Sequence, residues 1–186
     1  MSIATKIRKR PLPHSTLMRC IADIIDRAFD GVPYPGRENV CASKSAEWEF
    51  EPLFRCEDQW RQDWRKIPEE LIVKEIRGIL PFFSADGYKF IIPAFMKASL
   101  GAFKNIFDDD YATLLMYVVY SLCPDEVFEE YHLSKISKLN DEQKSAITAF
   151  LKYVRQHNID DEYDDSITSA LEKNMYSAMK SPFETP

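Results

Sequence analysis

Apolar side chains recur at helical spacing along most of the chain. The clearest stripes begin after Ser15, Pro68, Ser84, Asp108 and Asn140. Apolar positions three and four residues apart share one face of a helix, so each stripe predicts an amphipathic helix that packs against the others. The pattern therefore predicts an all-α, predominantly helical fold, arranged as a single-domain bundle of about six to eight helices.

The first stripe has signals at both ends, and the third contains a proline. Ser15 or Thr16 can cap the first helix, and Gly31 with Pro33 is expected to end it. The stripe that starts at Ser84 runs through Pro93, which removes one backbone hydrogen bond. We therefore expect either one kinked helix or two abutting helices at that point.

Two later helices have stronger N-terminal signals. Asp108 is a candidate N-cap for a helix that is apolar almost all round, and Asn140 with Gln143 forms an amide version of the capping box. An almost wholly apolar helix must be buried on most sides. The helices that follow Ser84, Asp108 and Asn140 are therefore predicted to form the centre of the bundle.

The segment 47–51 alternates between charged and aromatic residues in the manner of a half-buried strand, but Pro52 ends it and no partner strand follows. At most one short strand pair is expected, and a helical turn is an equal alternative. Trp60 and Trp64 are four residues apart and would share one face of a helix.

The chain divides into a flexible basic arm (1–14), one helical domain (15–180) and a short tail (181–186). The arm is basic but is interrupted by Pro11 and Pro13 where a secretion signal would be apolar. No stretch is long and apolar enough to span a membrane. A cytoplasmic protein without a membrane partner is expected, with its four cysteines reduced.

Thirty acidic and twenty-four basic side chains give a net charge of −6. This balance argues against nucleic acid as a partner, because phosphate contacts need cations. It favours a protein partner with a basic surface. The acidic residues concentrate near the C-terminal end, where they form either a solvated helix start or a partner surface. These residues are Asp160, Asp161, Glu162, Asp164 and Asp165.

Sequence motifs of catalysis and cofactor binding are missing. The three histidines form no H-E-x-x-H site, the five glycines are too scattered for a phosphate loop, and no G-x-S-x-G elbow occurs. Glu129 and His132 have the Glu-x-x-His spacing of di-iron bundles, but the motif occurs once where two copies are needed. We therefore predict no catalytic residue, no metal ligand and no cofactor.

Aromatic residues cluster between positions 48 and 64. Tryptophan beside arginine is typical of interaction hot spots, so the cluster could form a recognition surface. Packing in the core is the other interpretation. The cluster comprises Trp48, Phe50, Phe54, Trp60 and Trp64, and Arg37 lies in the loop before it.

Several short segments together resemble a family of uncharacterised bacterial proteins, a domain of unknown function. The resemblance covers roughly Ile21 to Val154. Its most specific parts are Ile92-Pro93-Ala94-Phe95-Met96 and the helix with Glu142-Gln143, Ala146-Ile147 and Phe150-Leu151. The resemblance implies a bacterial cytoplasm and supports the helical fold, but it implies no catalytic residue.

Two functions are compatible with these observations. The first is a small interaction protein, of accessory or immunity type, that binds a protein partner through the acidic or the aromatic surface. The alternative is an enzyme with an unrecognised polar site between helices, built from Arg37, Cys123, Glu129 or His132. The sequence does not indicate an oligomeric state.

Overall fold

Short helices joined by tight turns make up the part of the chain that a computed structural model describes, residues 13–105, 108–123, 129–157 and 164–172. Within these residues the chain forms no strand, and one isolated β-bridge joins Cys41 to Phe83. The α-helices are α1 (His14–Ala28), α2 (Arg37–Val40), α3 (Glu51–Phe54), α4 (Glu57–Trp60), α5 (Glu69–Lys74), α6 (Ala85–Ser99), α7 (Asp109–Leu122), α8 (Glu129–Ile136), α9 (Asp141–His157) and α10 (Asp164–Glu172). The 3₁₀ helices are Lys44–Phe50, Trp64–Lys66, Leu80–Phe82 and Leu100–Phe103.

The all-α, single-domain prediction is confirmed. The described helical segments outnumber the predicted helices because the region between α1 and α6 breaks into short turns. The segment 47–51, which alternates like a strand, lies in the 3₁₀ helix Lys44–Phe50 and the start of α3. The stripe after Pro68 forms only α5, which ends at Lys74.

Helix α6 is the centre of the fold. It packs against α1, α2, α5, α7 and α8. Eleven of its fifteen residues are buried, Pro93 among them. The backbone remains helical through Pro93, so the single-helix alternative is the right one. Around this centre, α9 packs on α1, and α10 packs on α9 and α7.

Side-chain caps occur at the predicted starts of two long helices. Asp108 accepts a hydrogen bond of 3.0 Å from the backbone N–H of Asp110. Asn140 and Gln143 exchange bonds of 2.8 and 3.0 Å between side chain and backbone, which is the reciprocal capping box. These caps satisfy N–H groups that a helix start leaves without a partner.

The predicted cap of the first helix is wrong. Helix α1 begins at His14, with Pro13 in the N-cap position and no side-chain cap. Ser15 and Thr16 therefore lie inside the first turn. The ring of Pro13 fixes its φ angle at a value that suits the start of a helix.

Trp60 and Trp64 do not share a helix as predicted. Trp60 ends α4, and Trp64 starts the next 3₁₀ helix. Between them, Asp63 has an extended backbone, with φ −159°, and its carboxylate caps the N–H of Arg65 at 3.1 Å. The extended residue turns the chain, and each tryptophan packs separately.

Gly87 allows α6 to approach the end of α2 closely. A Cβ atom at this position would lie 2.4 Å from the carbonyl oxygen of Val40, which is backbone and cannot rotate away. We expect Gly87→Ala to destabilise the fold by about 1–3 kcal/mol. Helix propensity alone would predict the opposite, a stabilisation, because it favours alanine over glycine by about 1 kcal/mol.

Gly78→Ala is the matched control for that change. A Cβ atom there would lie 3.8 Å from the ring of Tyr117, an ordinary contact. Thermal unfolding followed by circular dichroism should show a lower Tm for the Gly87 variant alone. An unchanged or higher Tm for Gly87→Ala would contradict the close approach of α2 and α6.

Candidate functional site

Three exposed aromatic side chains lie on or against the segment 78–83, which carries the chain from α5 to α6. Phe82 is 39% exposed, Tyr117 of α7 is 37% exposed and Tyr131 of α8 is 37% exposed. We call these three residues the aromatic surface. Exposed aromatic groups that converge from separate elements are typical of interaction sites rather than of an inert surface.

The aromatic surface is anchored to the backbone of this segment. The hydroxyl of Tyr131 donates hydrogen bonds to the carbonyls of Pro81 and Phe83, the second of them at 3.3 Å. The ring of Tyr117 lies beside Gly78. Two of the three rings thus lie against this segment, one from α7 and one from α8.

Lys135 lies beneath the aromatic surface, one helical turn after Tyr131, and is only 4% exposed. Its ammonium donates hydrogen bonds to the carbonyl oxygens of Leu80 at 3.0 Å and Pro81 at 3.2 Å. The ring centres of Tyr131 and Tyr88 lie 4.3 and 4.9 Å from its nitrogen. The lysine therefore joins α8 to the segment that carries Phe82.

Burial lowers the pKa of Lys135 to about 7. Two carbonyl oxygens and two aromatic faces favour the charged ammonium. Among the described residues no carboxylate forms an ion pair with it. The ammonium loses its hydration on burial, and this cost outweighs the weaker attraction of the carbonyls and rings, so the pKa falls.

Two residues of the enzyme hypothesis, His132 and Cys123, belong to α8 and to the C-terminal end of α7. The ring nitrogen Nδ1 of His132 lies 3.2 Å from the carbonyl oxygen of Ser121, which also accepts the Tyr88 hydroxyl at 3.0 Å. Burial raises the pKa of the Cys123 thiol to about 12. A protonated, buried thiol is a poor nucleophile. The side chain of Glu129 lies outside the described residues.

A separate groove of about 740 Å³ opens between α1, the 3₁₀ helix Trp64–Lys66 and the C-terminal half of α6. We call it the Trp64 groove. Its apolar wall includes Met18, Ala94 and the edge of Trp64. Its charged lining consists of Arg19, Arg65, Lys97 and Lys104 with one carboxylate, Glu69.

A carboxylate behind the groove holds two of these cations. Both carboxylate oxygens of Asp26 lie 2.7 Å from the Lys97 ammonium, and one lies 3.3 Å from the Arg65 guanidinium. Arg65 also pairs with Asp30 at 2.8 Å. Both cations lie over the Trp64 ring, at 4.7 Å for Arg65 and 5.6 Å for Lys97. This network joins α1, α6 and the 3₁₀ helix between them.

Trp60 and Trp64 do not belong to an exposed partner surface, which corrects the sequence prediction. They are 0% and 2% exposed. Each indole N–H donates to a backbone carbonyl, Trp60 to Leu53 at 3.2 Å and Trp64 to Phe29 at 3.0 Å. The apolar ring is packed inside the protein and the polar N–H has a hydrogen-bond acceptor there, so burial of each tryptophan is favourable.

The rest of the predicted aromatic cluster is divided between core and surface. Phe50 and Phe54 are buried, whereas Trp48 is 71% exposed. Arg37 is exposed at the start of α2, and its guanidinium stacks on the Phe54 ring at 4.3 Å. Arg37 therefore covers the core here and still presents its charged edge to solvent.

Two of the predicted acidic residues are described. Asp164 and Asp165 are exposed in the first turn of α10, where the helix dipole stabilises negatively charged carboxylates. The other three, Asp160, Asp161 and Glu162, lie outside the described residues.

Residues 13–105, 108–123, 129–157 and 164–172 contain no group of three His, Cys, Asp or Glu side chains that could hold a metal ion. None of the described helices has the length and apolar character needed to cross a membrane.

Sequence reasoning missed Phe82, Tyr117, Tyr131 and Lys135. A partial signal exists for the last, because Tyr131 and Lys135 are four apart and therefore share one face of α8. The sequence does not show that this face points toward segment 78–83.

Comparison with known proteins gives a family and no function. The sequence model of a family of unknown function, DUF6714, matches residues 19–177. No curated protein and no solved structure matches the chain. The match includes the whole range, Ile21 to Val154, on which the resemblance was based. The chain therefore belongs to the family of unknown function DUF6714.

Proposed function

We propose that this protein is an interaction protein that binds a protein partner through the aromatic surface. The observation that carries the proposal is that exposed Tyr117 and Tyr131 both contact the segment that bears exposed Phe82. Aromatic side chains are enriched at protein interfaces and supply much of their binding energy. We therefore expect the partner to contact the aromatic surface, and not Trp60 and Trp64 as the sequence suggested.

The anchoring of the aromatic surface supports the same proposal. Tyr131 is tied to two backbone carbonyls, and Lys135 fills the space beneath its ring. A side chain that is already ordered loses little conformational entropy when a partner binds. These residues thus resemble a preformed contact surface.

Charge favours a basic partner surface. The chain carries a net charge of −6, and Asp164 and Asp165 expose carboxylates at the start of α10. Complementary charge mainly speeds the encounter of two proteins. Association with the partner should therefore slow as salt is raised, with a smaller effect on dissociation.

The proposed setting is the cytoplasm of a bacterium, where the protein would act as an accessory or immunity-type factor. Four free cysteines support a reducing compartment. The bacterial origin rests on the resemblance of the sequence to its family.

The test compares the tagged protein with its Phe82→Ser/Tyr117→Ser variant. Each is used to capture proteins from a native lysate of the source organism, and the partner recovered in stoichiometric amount is purified. Calorimetric titration should then show binding weakened by at least about 30-fold in the double variant, because the loss of even one hot-spot side chain costs about 2 kcal/mol or more.

Leu133→Ser is the matched control. Leu133 is 44% exposed on the same helix as Tyr131 but two residues away, on a different face. Its loss should leave the affinity unchanged. Equal affinity of wild type and the Phe82/Tyr117 variant, or recovery of no stoichiometric partner, would reject the proposal.

A further inference from the structure

Two histidines lie side by side where the N-terminal end of α1 meets the C-terminal end of α9. His14 is the first residue of α1, and His157 is the last residue of α9. Their ring centres are 4.8 Å apart, and the ring planes are inclined by 55°. Because α1 packs directly on α9, the fold brings together two imidazoles that are far apart in the sequence.

A backbone carbonyl determines which nitrogen of His157 is free. Its Nδ1 lies 2.9 Å from the carbonyl oxygen of Tyr153, one turn earlier in α9. A carbonyl oxygen can only accept a hydrogen bond, so Nδ1 carries the proton. In the neutral ring the lone pair is then on Nε2, which is free to bind a metal ion. A backbone carbonyl is a usual outer partner of a metal-binding histidine.

Tyr153 also reaches the other histidine. Its hydroxyl oxygen lies 3.2 Å from Nε2 and 3.4 Å from Nδ1 of His14. Burial raises the pKa of Tyr153 to about 12, so this group is a neutral hydroxyl that can accept the N–H of His14 from either nitrogen. The other nitrogen of His14 then keeps its lone pair. One tyrosine therefore supplies an outer partner to both imidazoles.

The separation of the two rings suits a shared ion. Two imidazoles that bind one ion at about 2.0–2.1 Å, in tetrahedral or square geometry, have ring centres about 5 Å apart. The observed separation of 4.8 Å matches this value. His14 is exposed and His157 is half-buried, so an ion can reach the pair from solvent.

We propose that His14 and His157 together bind a divalent transition-metal ion such as Zn²⁺. Imidazole is a suitable ligand for Zn²⁺, Ni²⁺ and Cu²⁺, whereas Mg²⁺ and Ca²⁺ prefer oxygen ligands. In the part of the chain that the structure describes, no third His, Cys, Asp or Glu side chain joins the pair, so water fills the remaining positions. The ion links the ends of α1 and α9. This site does not depend on the proposed protein partner.

Titration of the folded full chain with Zn²⁺, followed by NMR of the histidine rings, tests the pair directly. The chain has three histidines, and each is assigned from its glutamine variant. The ring-nitrogen signals of His14 and His157 should shift together and saturate, whereas those of His132 should not move. Mg²⁺ should shift none of them, because it binds oxygen ligands in preference to imidazole.

Calorimetric titration with Zn²⁺ measures the contribution of each imidazole. His14→Gln and His157→Gln should each weaken binding by at least about tenfold, because the second ligand of a linked pair binds at a high effective concentration. Zn²⁺ should also raise the Tm of wild type and not that of either variant, since an ion that binds only the folded chain stabilises it.

His132→Gln and Cys20→Ser are the controls. His132 belongs to α8, and Cys20 is an exposed thiol of α1, a further group that Zn²⁺ can bind. Both variants should bind Zn²⁺ like wild type. Unmoved His14 and His157 signals in excess Zn²⁺, or a wild-type affinity in His14→Gln with native circular dichroism, would overturn the proposal.

Discussion

Trp64→Ala is expected to lower the free energy of unfolding by about 3–5 kcal/mol, the usual cost of removing a buried large aromatic side chain. The ring is 2% exposed and its N–H bonds the carbonyl of Phe29 at 3.0 Å. The change would open a cavity and remove the surface on which Arg65 and Lys97 lie. In a domain of this size the loss corresponds to a fall in Tm of about 10 °C.

Urea unfolding followed by circular dichroism measures this effect, and Trp48→Ala is its control. Trp48 is 71% exposed, so its removal should change stability by no more than about 0.5 kcal/mol. Trp64→Phe separates the contributions, because it keeps an aromatic ring at this position and removes the indole N–H that donates to the Phe29 carbonyl. A similar loss for Trp48→Ala and Trp64→Ala would contradict the burial described above.

Features specified by neighbouring residues could be predicted from the sequence. The capping box of Asn140 and Gln143 and the cap at Asp108 involve residues two or three positions apart. The helical stripes depend on spacings of three and four residues. Such local patterns determine where helices form and which face is buried, and the all-α class follows from them.

Features that depend on distant residues could not be predicted. The hydrogen bond from the buried Trp64 indole to Phe29 joins residues 35 positions apart, and the one from Lys135 to Leu80 joins residues 55 positions apart. Tryptophan has the same local pattern whether it lies in a core or at an interface, so the choice between them needed the structure. The aromatic surface also depends on packing, because its residues come from three separate elements.

The contribution of Lys135 to the free energy of unfolding is expected to rise with pH. An unfolded lysine has an ordinary pKa of 10.5, whereas burial lowers the folded value to about 7. Between these values the unfolded chain binds a proton that the folded chain does not, so lowering the pH favours unfolding. The slope from this one group is at most about 1.4 kcal/mol per pH unit, and it vanishes below pH 7, where both states bind the proton.

The measurement is the difference in the free energy of unfolding between wild type and Lys135→Met, which removes the titrating group and keeps most of its volume. Raising the pH from about 7 to about 9.5 should shift this difference by up to about 3 kcal/mol in favour of wild type. Other titrating groups are common to both proteins and cancel. Lys152→Met, at an exposed lysine of α9, should show no such trend, because its ammonium contacts water in both states. A difference independent of pH would mean that the Lys135 ammonium stays protonated in the folded protein, stabilised by the carbonyls of Leu80 and Pro81 and the two tyrosine rings.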